Sequence, residues 1–177
     1  MQRNPAWLEI LQIAPVVVLA APIVVSGQVD LAALALPFTL GTLLAAVVTG
    51  IVWRQGGALN PIAVGTDVWL VLGTLGFAVG VPPLAAWLAD TQGFALFLTI
   101  TLVGAAFFAS PFGTIGARGD ADVVRSRSAA LLGLIVLATA WAWWFRTDVR
   151  LGGGLPFIVC NMVRRVAIHK SPPPRAR

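Results

Sequence analysis

Long apolar runs separated by short polar breaks make up most of the chain. The clearest run, residues 68–89, carries no charged residue and lies between Asp67 and Asp90. At a rise of about 1.5 Å per helical residue it reaches roughly 30 Å, the thickness of the hydrocarbon core of a bilayer. We therefore predict that this run is the central membrane-spanning helix.

Four further apolar runs predict four further spans. They cover residues 8–25, 31–53, 94–112 and 129–145. The first run is interrupted by Pro15 and Pro22, and a signal peptide is a competing interpretation of it. The pattern thus predicts an all-α, polytopic transmembrane helical bundle with five spans in residues 1–150.

The C-terminal part fits this scheme less simply. Residues 151–168 begin apolar and become basic at Arg164 and Arg165, and residues 169–177 have the composition of a disordered tail. The positive-inside rule favours a cytoplasmic N-terminus, but five crossings would then export the basic tail. Either residues 151–163 re-enter the membrane and return, or the protein is inverted and the tail lies on the cytoplasmic surface as an interfacial helix. The first arrangement is preferred because it resolves more charges.

Composition makes lipid the solvent for most of the chain. Hydrophobic residues make up 58% of it and charged residues 11%, whereas a soluble domain carries about 25% charged residues. The net charge of +5 comes almost wholly from arginines in loops and the tail. We therefore expect anionic lipid headgroups as partners, and no nucleic acid.

The residues that the chain lacks exclude several classes of chemistry. Its only histidine is His169 and its only cysteine is Cys160, which excludes a Ser–His–Asp triad, a bis-histidine haem site and a multi-cysteine metal site. Predicted spans two to five carry no charged residue in their interiors, which argues against an ion-coupled carrier but not against passive transport. We expect no catalytic residue, no metal site and no cofactor.

Small and aromatic residues give two candidate sites. Gly73, Gly76 and Gly80 are predicted to let a neighbouring helix approach closely, either within the bundle or at an oligomer interface. Trp141 and Trp144 share a helix face and are predicted to belong to an interfacial aromatic belt. The alternative for this pair is a wall for a flat apolar ligand.

Polar residues give two more candidate sites. Glu9 and Gln12 lie three residues apart, hence on one helix face, either at the membrane interface or in a polar site that faces the bundle. Candidates for contacts with lipid headgroups are Arg125, Arg127, Arg164 and Arg165.

A set of short motifs lies between residues 37 and 112. They are Pro37-Phe38 with Gly41, Trp53-Arg54, Leu59, Pro61, Val68-Trp69-Leu70 and Gln92-Gly93. On these residues the chain resembles a family of small bacterial membrane proteins of unknown function, which implies a location in the bacterial inner (cytoplasmic) membrane. The polar, arginine-containing first helix of that family is not seen here, and the fifth helix is extra. The resemblance implies no catalytic activity.

Two functions follow as expectations. The first is that of a non-enzymatic scaffold, assembly or accessory subunit, with a second copy or another membrane protein as partner. The alternative is a binder or passive conductor of a small apolar molecule or ion.

Overall fold

Five helices in the computed structural model of this protein are long and apolar enough to cross a membrane, by length and composition. The structure describes residues 5–19, 32–117, 119–146, 148 and 150–169, and within these ranges every regular element is helical. The prediction of an all-α, polytopic bundle is confirmed.

Six helices follow one another along the chain, with short turns of other helical types between them. They are α1 (Ala6–Leu11), α2 (Ala35–Arg54), α3 (Pro61–Gly73), α4 (Pro82–Phe108), α5 (Ala121–Trp144) and α6 (Leu155–His169). A short apolar helix, Trp7–Leu19, includes all of α1 except its first residue. A π-helical turn continues α3 over Thr74–Ala78, and a second one, Arg150–Gly154, precedes α6.

The predicted central span, residues 68–89, is wrong, because it contains the end of one helix and the start of the next. The earlier of these two helices, α3, begins at Pro61. Asn60 accepts a hydrogen bond from the N–H of Ile62 (3.1 Å), and proline occupies the first helical position. Asn-Pro therefore starts a helix here instead of marking a loop. The chain then turns at Gly80, whose φ of 84° is easy only for glycine.

The predicted loop at residues 90–93 is also absent, because α4 continues through it. The helix is kinked at Gln92 (φ 36°, ψ −108°), but the chain does not turn back there as a hairpin would. Two carboxylates consequently lie inside candidate spans, Asp67 in α3 and Asp90 in α4. The prediction that the spans carry no charged interior residue is therefore wrong.

The described N-terminal helix is shorter than the predicted first span, and the C-terminal helix is longer than the predicted re-entrant segment. The predicted first span, 8–25, is described only as the shorter apolar helix Trp7–Leu19, and residues 20–31, with the predicted loop at 26–30, lie outside the described residues. The predicted re-entrant segment, 151–163, instead belongs to a candidate span over Arg150–Ile168. The tail beyond His169 lies outside the described residues.

Buried contacts show that successive helices pack antiparallel. Leu8 shares a buried cluster with Val52, while Leu19 shares another with Phe38, so the N-terminal helix runs antiparallel to α2. The helix that begins at Pro61 also runs antiparallel to α4. Gly65 lies against Ile100, whereas Gly76, further along the chain, lies against the earlier residue Ala85. The largest cluster joins α3, α4, α5 and α6 through apolar side chains such as Ile62, Phe97, Ile100, Ile135 and Cys160.

The two ends of the bundle differ in chemistry. At one end, which we call the arginine end, the exposed side chains include Arg54, Arg125 and Arg165. Two contacts bring the segments of this end together. Gly116 lies against Leu59, and Arg127 donates a hydrogen bond to the carbonyl of Ala167. The opposite end carries the tryptophans that close α5, and we call it the tryptophan end.

Replacing Gly65 by alanine tests the close approach of α3 to α4. An added Cβ would lie 2.5 Å from the Cα of Ile100, so backbone must move. We expect Gly65→Ala to destabilise the protein by about 1–3 kcal/mol, measured as a lowered thermal unfolding midpoint in detergent. Gly50→Ala is the matched control, because its Cβ would meet nothing within 4 Å. Equal midpoints for the two variants would contradict the packing of α3 on α4.

Candidate functional site

A buried guanidinium lies at the arginine end of the bundle. Arg164 is 1% exposed, although arginine is seldom fully buried. Its Nη1 donates to Oε2 of Glu9 at 2.7 Å, and its Nε donates to the carbonyl of Ile115 at 3.0 Å. Its Nη2 has no hydrogen-bond partner among the described residues. The ion pair therefore holds the first helix against the last one and against the loop between α4 and α5.

Gln12, one turn beyond Glu9 on the same helix, makes a second set of buried polar contacts. Its Oε1 accepts a hydrogen bond of 2.7 Å from the N–H of Asn60, and its Nε2 donates to the carbonyl of Leu8 at 3.3 Å. Asn60 in turn caps α3. We call Glu9, Gln12, Asn60 and Arg164 the polar clasp. Glu9 and Gln12 thus lie on the side of the helix that faces the bundle, as the second interpretation of that pair expects.

The four arginines predicted to contact headgroups divide into two kinds. Arg125 and Arg165 are exposed at the arginine end and are free to meet headgroups. Arg127 donates to the carbonyl of Ala167, and Arg164 is buried in the clasp. The prediction for Arg164 is therefore wrong, because the carboxylate of Glu9 supplies from within the chain the anion that a lipid was expected to supply.

The three glycines predicted to pack between helices also behave differently. A Cβ on Gly73 would lie 2.0 Å from the ring of Phe38, and one on Gly76 would lie 3.2 Å from backbone of Ala85. Both therefore meet neighbouring helices closely. Gly80 has nothing within 4 Å of such a Cβ, because it lies in the turn after α3. The packing prediction is wrong for Gly80.

The tryptophans at the end of α5 are exposed and do not enclose a pocket for a ligand. Trp144 is 83% exposed, and the half-exposed Trp141 donates from its Nε1 to the carbonyl of Leu151 at 3.0 Å. Trp143 is also about half exposed, and its ring lies edge-on against Phe94 at 4.9 Å with Arg146 over it. This arrangement favours the belt over a ligand wall formed by Trp141 and Trp144.

A strained break in α4 gives a second candidate site. Gln92 has a positive φ that side-chain-bearing residues rarely adopt, and its Oε1 is buried with no partner among the described residues. The next residue, Gly93, lies directly against the π-helical turn before α6, since a Cβ on it would be 2.6 Å from the carbonyl carbon of Gly152. Strained backbone and π-helical turns both concentrate at functional sites.

Trp69 of α3 lies near the level of this break. Gly65 faces Ile100 and Gly76 faces Ala85, so Trp69, one turn beyond Gly65 on the same face, is level with residues 94–95 of α4, about one turn from Gln92. Its indole Nε1 is buried and has no partner in the part of the chain that the structure describes. An unpaired donor and an unpaired acceptor therefore lie about one turn apart along one helix pair, which we call the break site.

Asp67 is a functional candidate that the sequence analysis missed. Thr49 of α2 donates to its Oδ2 at 3.3 Å, while Oδ1 is buried without a partner among the described residues. The sequence pattern treated Asp67 as a polar residue just outside the central span. The signal that could have identified it is Asn60-Pro61, because an N-cap followed by proline places Asp67 well inside a helix.

Comparisons with known proteins give no relative, since no family model, no curated protein and no solved structure matches the chain. The resemblance to small bacterial membrane proteins therefore stays a prediction. Over the described ranges, no group of three or more His, Cys, Asp or Glu residues could hold a metal ion. The polar clasp, the break site and Asp67 are thus judged on their geometry alone.

Replacing Glu9 by glutamine tests the polar clasp. The change removes the negative charge that faces the buried guanidinium of Arg164, so an uncompensated charge stays in the protein. We expect a loss of stability of about 1–3 kcal/mol, seen as a lower thermal unfolding midpoint. Asp90→Asn removes an exposed carboxylate in the same way and should leave the midpoint unchanged. A Glu9→Gln protein as stable as the original would show that the clasp contributes nothing.

Proposed function

We propose that this protein is an integral membrane protein without enzymatic activity that binds a small, largely apolar molecule carrying a hydroxyl group at the break site. The observation that carries the proposal is the buried, unpartnered amide oxygen of Gln92 at a strained break within a candidate span. Of the two functions expected from the sequence, the binding of a small molecule is the one that this observation favours.

The helix break itself supports a binding role. Membrane transporters commonly place their substrate sites where a spanning helix is discontinuous, because the break frees polar groups at membrane depth. Irregular backbone at membrane depth is tolerated only where it is buried in protein or lines a water-filled cavity. In this chain the break at Gln92 is backed by the glycine-rich turn at Gly152.

The two unpaired groups of the break site define the chemistry of the ligand. The Oε1 of Gln92 needs a hydrogen-bond donor, and the Nε1 of Trp69 needs an acceptor. A single hydroxyl group supplies both. Trp69 also packs on both large apolar clusters and edge-on against Phe38 at 5.0 Å, so the rest of the ligand would meet hydrocarbon and aromatic surface.

The scaffold or accessory role stays a prediction. A second copy of the chain or another membrane protein was its expected partner, and no contact within the described residues singles out such a partner. The glycines that were its best candidates for an oligomer interface are accounted for within one chain, since Gly73 and Gly76 pack on Phe38 and Ala85.

We further infer that the arginine end faces the cytoplasm of a bacterial inner membrane. Lys and Arg accumulate in cytoplasmic loops. Arg54, Arg125 and Arg165 are exposed at this end, and Glu9 brings the N-terminal helix to the same end through its bond to Arg164. With Arg150–Ile168 as a complete span, the chain leaves the membrane on this side as well, so both termini are cytoplasmic.

The ligand proposal is tested by extracting purified protein with organic solvent and identifying bound small molecules by mass spectrometry. We expect a hydroxyl-bearing molecule to accompany the unmodified protein. Trp69→Phe removes the indole donor and Gln92→Met removes the amide at similar volume, so both variants should lose the molecule while their thermal unfolding remains cooperative.

Two controls separate the break site from other aromatic surface. Trp87→Phe changes a partly exposed tryptophan at the start of α4 and should keep the ligand. The double replacement of Trp141 and Trp144 by leucine should keep it too, because those indoles are exposed at the tryptophan end. The proposal is wrong if no such molecule is found, or if Trp69→Phe retains it.

Orientation is tested by labelling single cysteines in intact cells, after Cys160 has been replaced. Cysteines introduced at Arg125 and Arg165 should both be inaccessible to a membrane-impermeant maleimide from outside, because both side chains are exposed at the same end. A cysteine at Asp148, exposed beyond the end of α5, should be labelled. Opposite accessibility of positions 125 and 165 would contradict a complete span at the C-terminus.

A further inference from the structure

Asp67 lies within the membrane-spanning part of the bundle and on a different face of α3 from the break site. It is the seventh residue of that helix, hence about 9 Å along the axis from Pro61. Among the described acidic residues, Asp90, Asp120, Asp122 and Asp148 are exposed, and Glu9 pairs with Arg164. Asp67 is therefore the carboxylate in the described ranges that is partly buried and has no cation beside it.

We propose that Asp67 and Thr49 form a proton-exchange site inside the membrane, at which the carboxyl group of Asp67 takes up and releases a proton. On uptake, an O–H bond forms at Oδ1 with a proton from hydronium, which leaves water. On release, that bond breaks and water accepts the proton. No electron is transferred, and no other reactant is needed.

The Oδ1 atom of Asp67 lacks a partner among the described residues and could therefore accept a ligand. A carboxylate at membrane depth is costly, and such residues are kept for proton or ion handling. Thr49 supplies one hydrogen bond to Oδ2, and at 3.3 Å it is a long one, whereas Oδ1 has no partner among the described residues. A positively charged ligand at Oδ1 would neutralise the group.

The surroundings of Asp67 suit a proton better than a metal ion. Hard metal cations such as Ca²⁺ and Mg²⁺ require about six or more oxygen ligands. Here the side-chain oxygens are those of Asp67 and Thr49, while Val64 and Val71 on the same side of α3 offer only hydrocarbon. A proton needs a single oxygen, which is what Oδ1 provides.

Few other charges face Asp67 from the helices around it. Its own helix carries no second charged residue, and α2 carries only Arg54, which is exposed at the helix end. On α1, Glu9 is already paired with Arg164, and on α4, Asp90 is exposed. A change in the protonation of Asp67 therefore has no neighbouring ion pair to compensate it.

The seam between α2 and α3 is close to the arginine end at Thr49. Thr49 lies five residues before Arg54, which ends α2 and is exposed, so it is about 8 Å along the helix axis from that end. In the other direction the seam continues through a second polar contact, Thr42 Oγ1 to Thr74 Oγ1 at 2.8 Å. Proton exchange is therefore assigned to the arginine end.

The test uses the unmodified protein in liposomes and dicyclohexylcarbodiimide, an apolar reagent that modifies protonated carboxylic acids, with peptide mass spectrometry as readout. We expect Asp67 to be modified, and the modified fraction to fall as pH rises. Asp67→Asn should remove this label, and Asp90→Asn should retain it. An unmodified Asp67, or a modified fraction that does not change with pH, would overturn the proposal.

Two further measurements use the unmodified protein, so they do not depend on how the variants fold. The second also distinguishes a proton from a metal cation as the ligand of Asp67. Infrared difference spectra of the unmodified protein between about pH 6, where ordinary exposed carboxyl groups are already ionised, and alkaline pH should contain the carbonyl band of a protonated carboxylic acid, and its absence would overturn the proposal. Protection of Asp67 by Na⁺ or K⁺, relative to choline at equal ionic strength, would also overturn it in favour of a metal cation. Thr49→Val should shift the pH of half-maximal labelling, whereas a purely structural Thr49 would leave that pH unchanged.

Discussion

The arrangement of this bundle depends on the ion pair and the hydrogen bond that the buried guanidinium of Arg164 makes. The guanidinium bonds at once to a helix that begins the chain, through Glu9, and to the loop before α5, through Ile115. A charge removed from water requires such partners, because an uncompensated ion in a low-dielectric interior is strongly destabilising. The requirement determines which segments meet at the arginine end, and it brings the first and the last described helix together at that end of the bundle.

The sequence was sufficient to predict the fold class, because the apolar runs are too long and too numerous for a soluble protein. It was not sufficient to place the helix boundaries. The apolar pattern places loops at charged residues, yet Asp67 and Asp90 both lie within helices. Local capping decided the matter instead, since Asn60 and Pro61 start α3 before the first charge is reached.

The candidate sites were predicted unevenly, for a similar reason. The spacing of Glu9 and Gln12 indicates a shared face, and the structure has both on the bundle side. Their partners, Arg164 and Asn60, are distant in sequence, and no helical periodicity reports on such contacts. Gln92 enters the sequence analysis only within the Gln92-Gly93 motif of the resemblance, because its candidate role comes from a backbone conformation that no apolar or polar pattern predicts.

The contact between Gly93 and Gly152 has a mechanical consequence for the tryptophan end. With hydrogen atoms in place of side chains on both, the two backbones touch without a rotatable group between them. A side-chain contact can absorb a small displacement by changing rotamer, whereas a backbone contact transmits it. Leu151, the residue before Gly152, accepts the hydrogen bond from the indole of Trp141. In a variant that keeps Trp141 as its only tryptophan, fluorescence would therefore register a movement of α4 at Gly93.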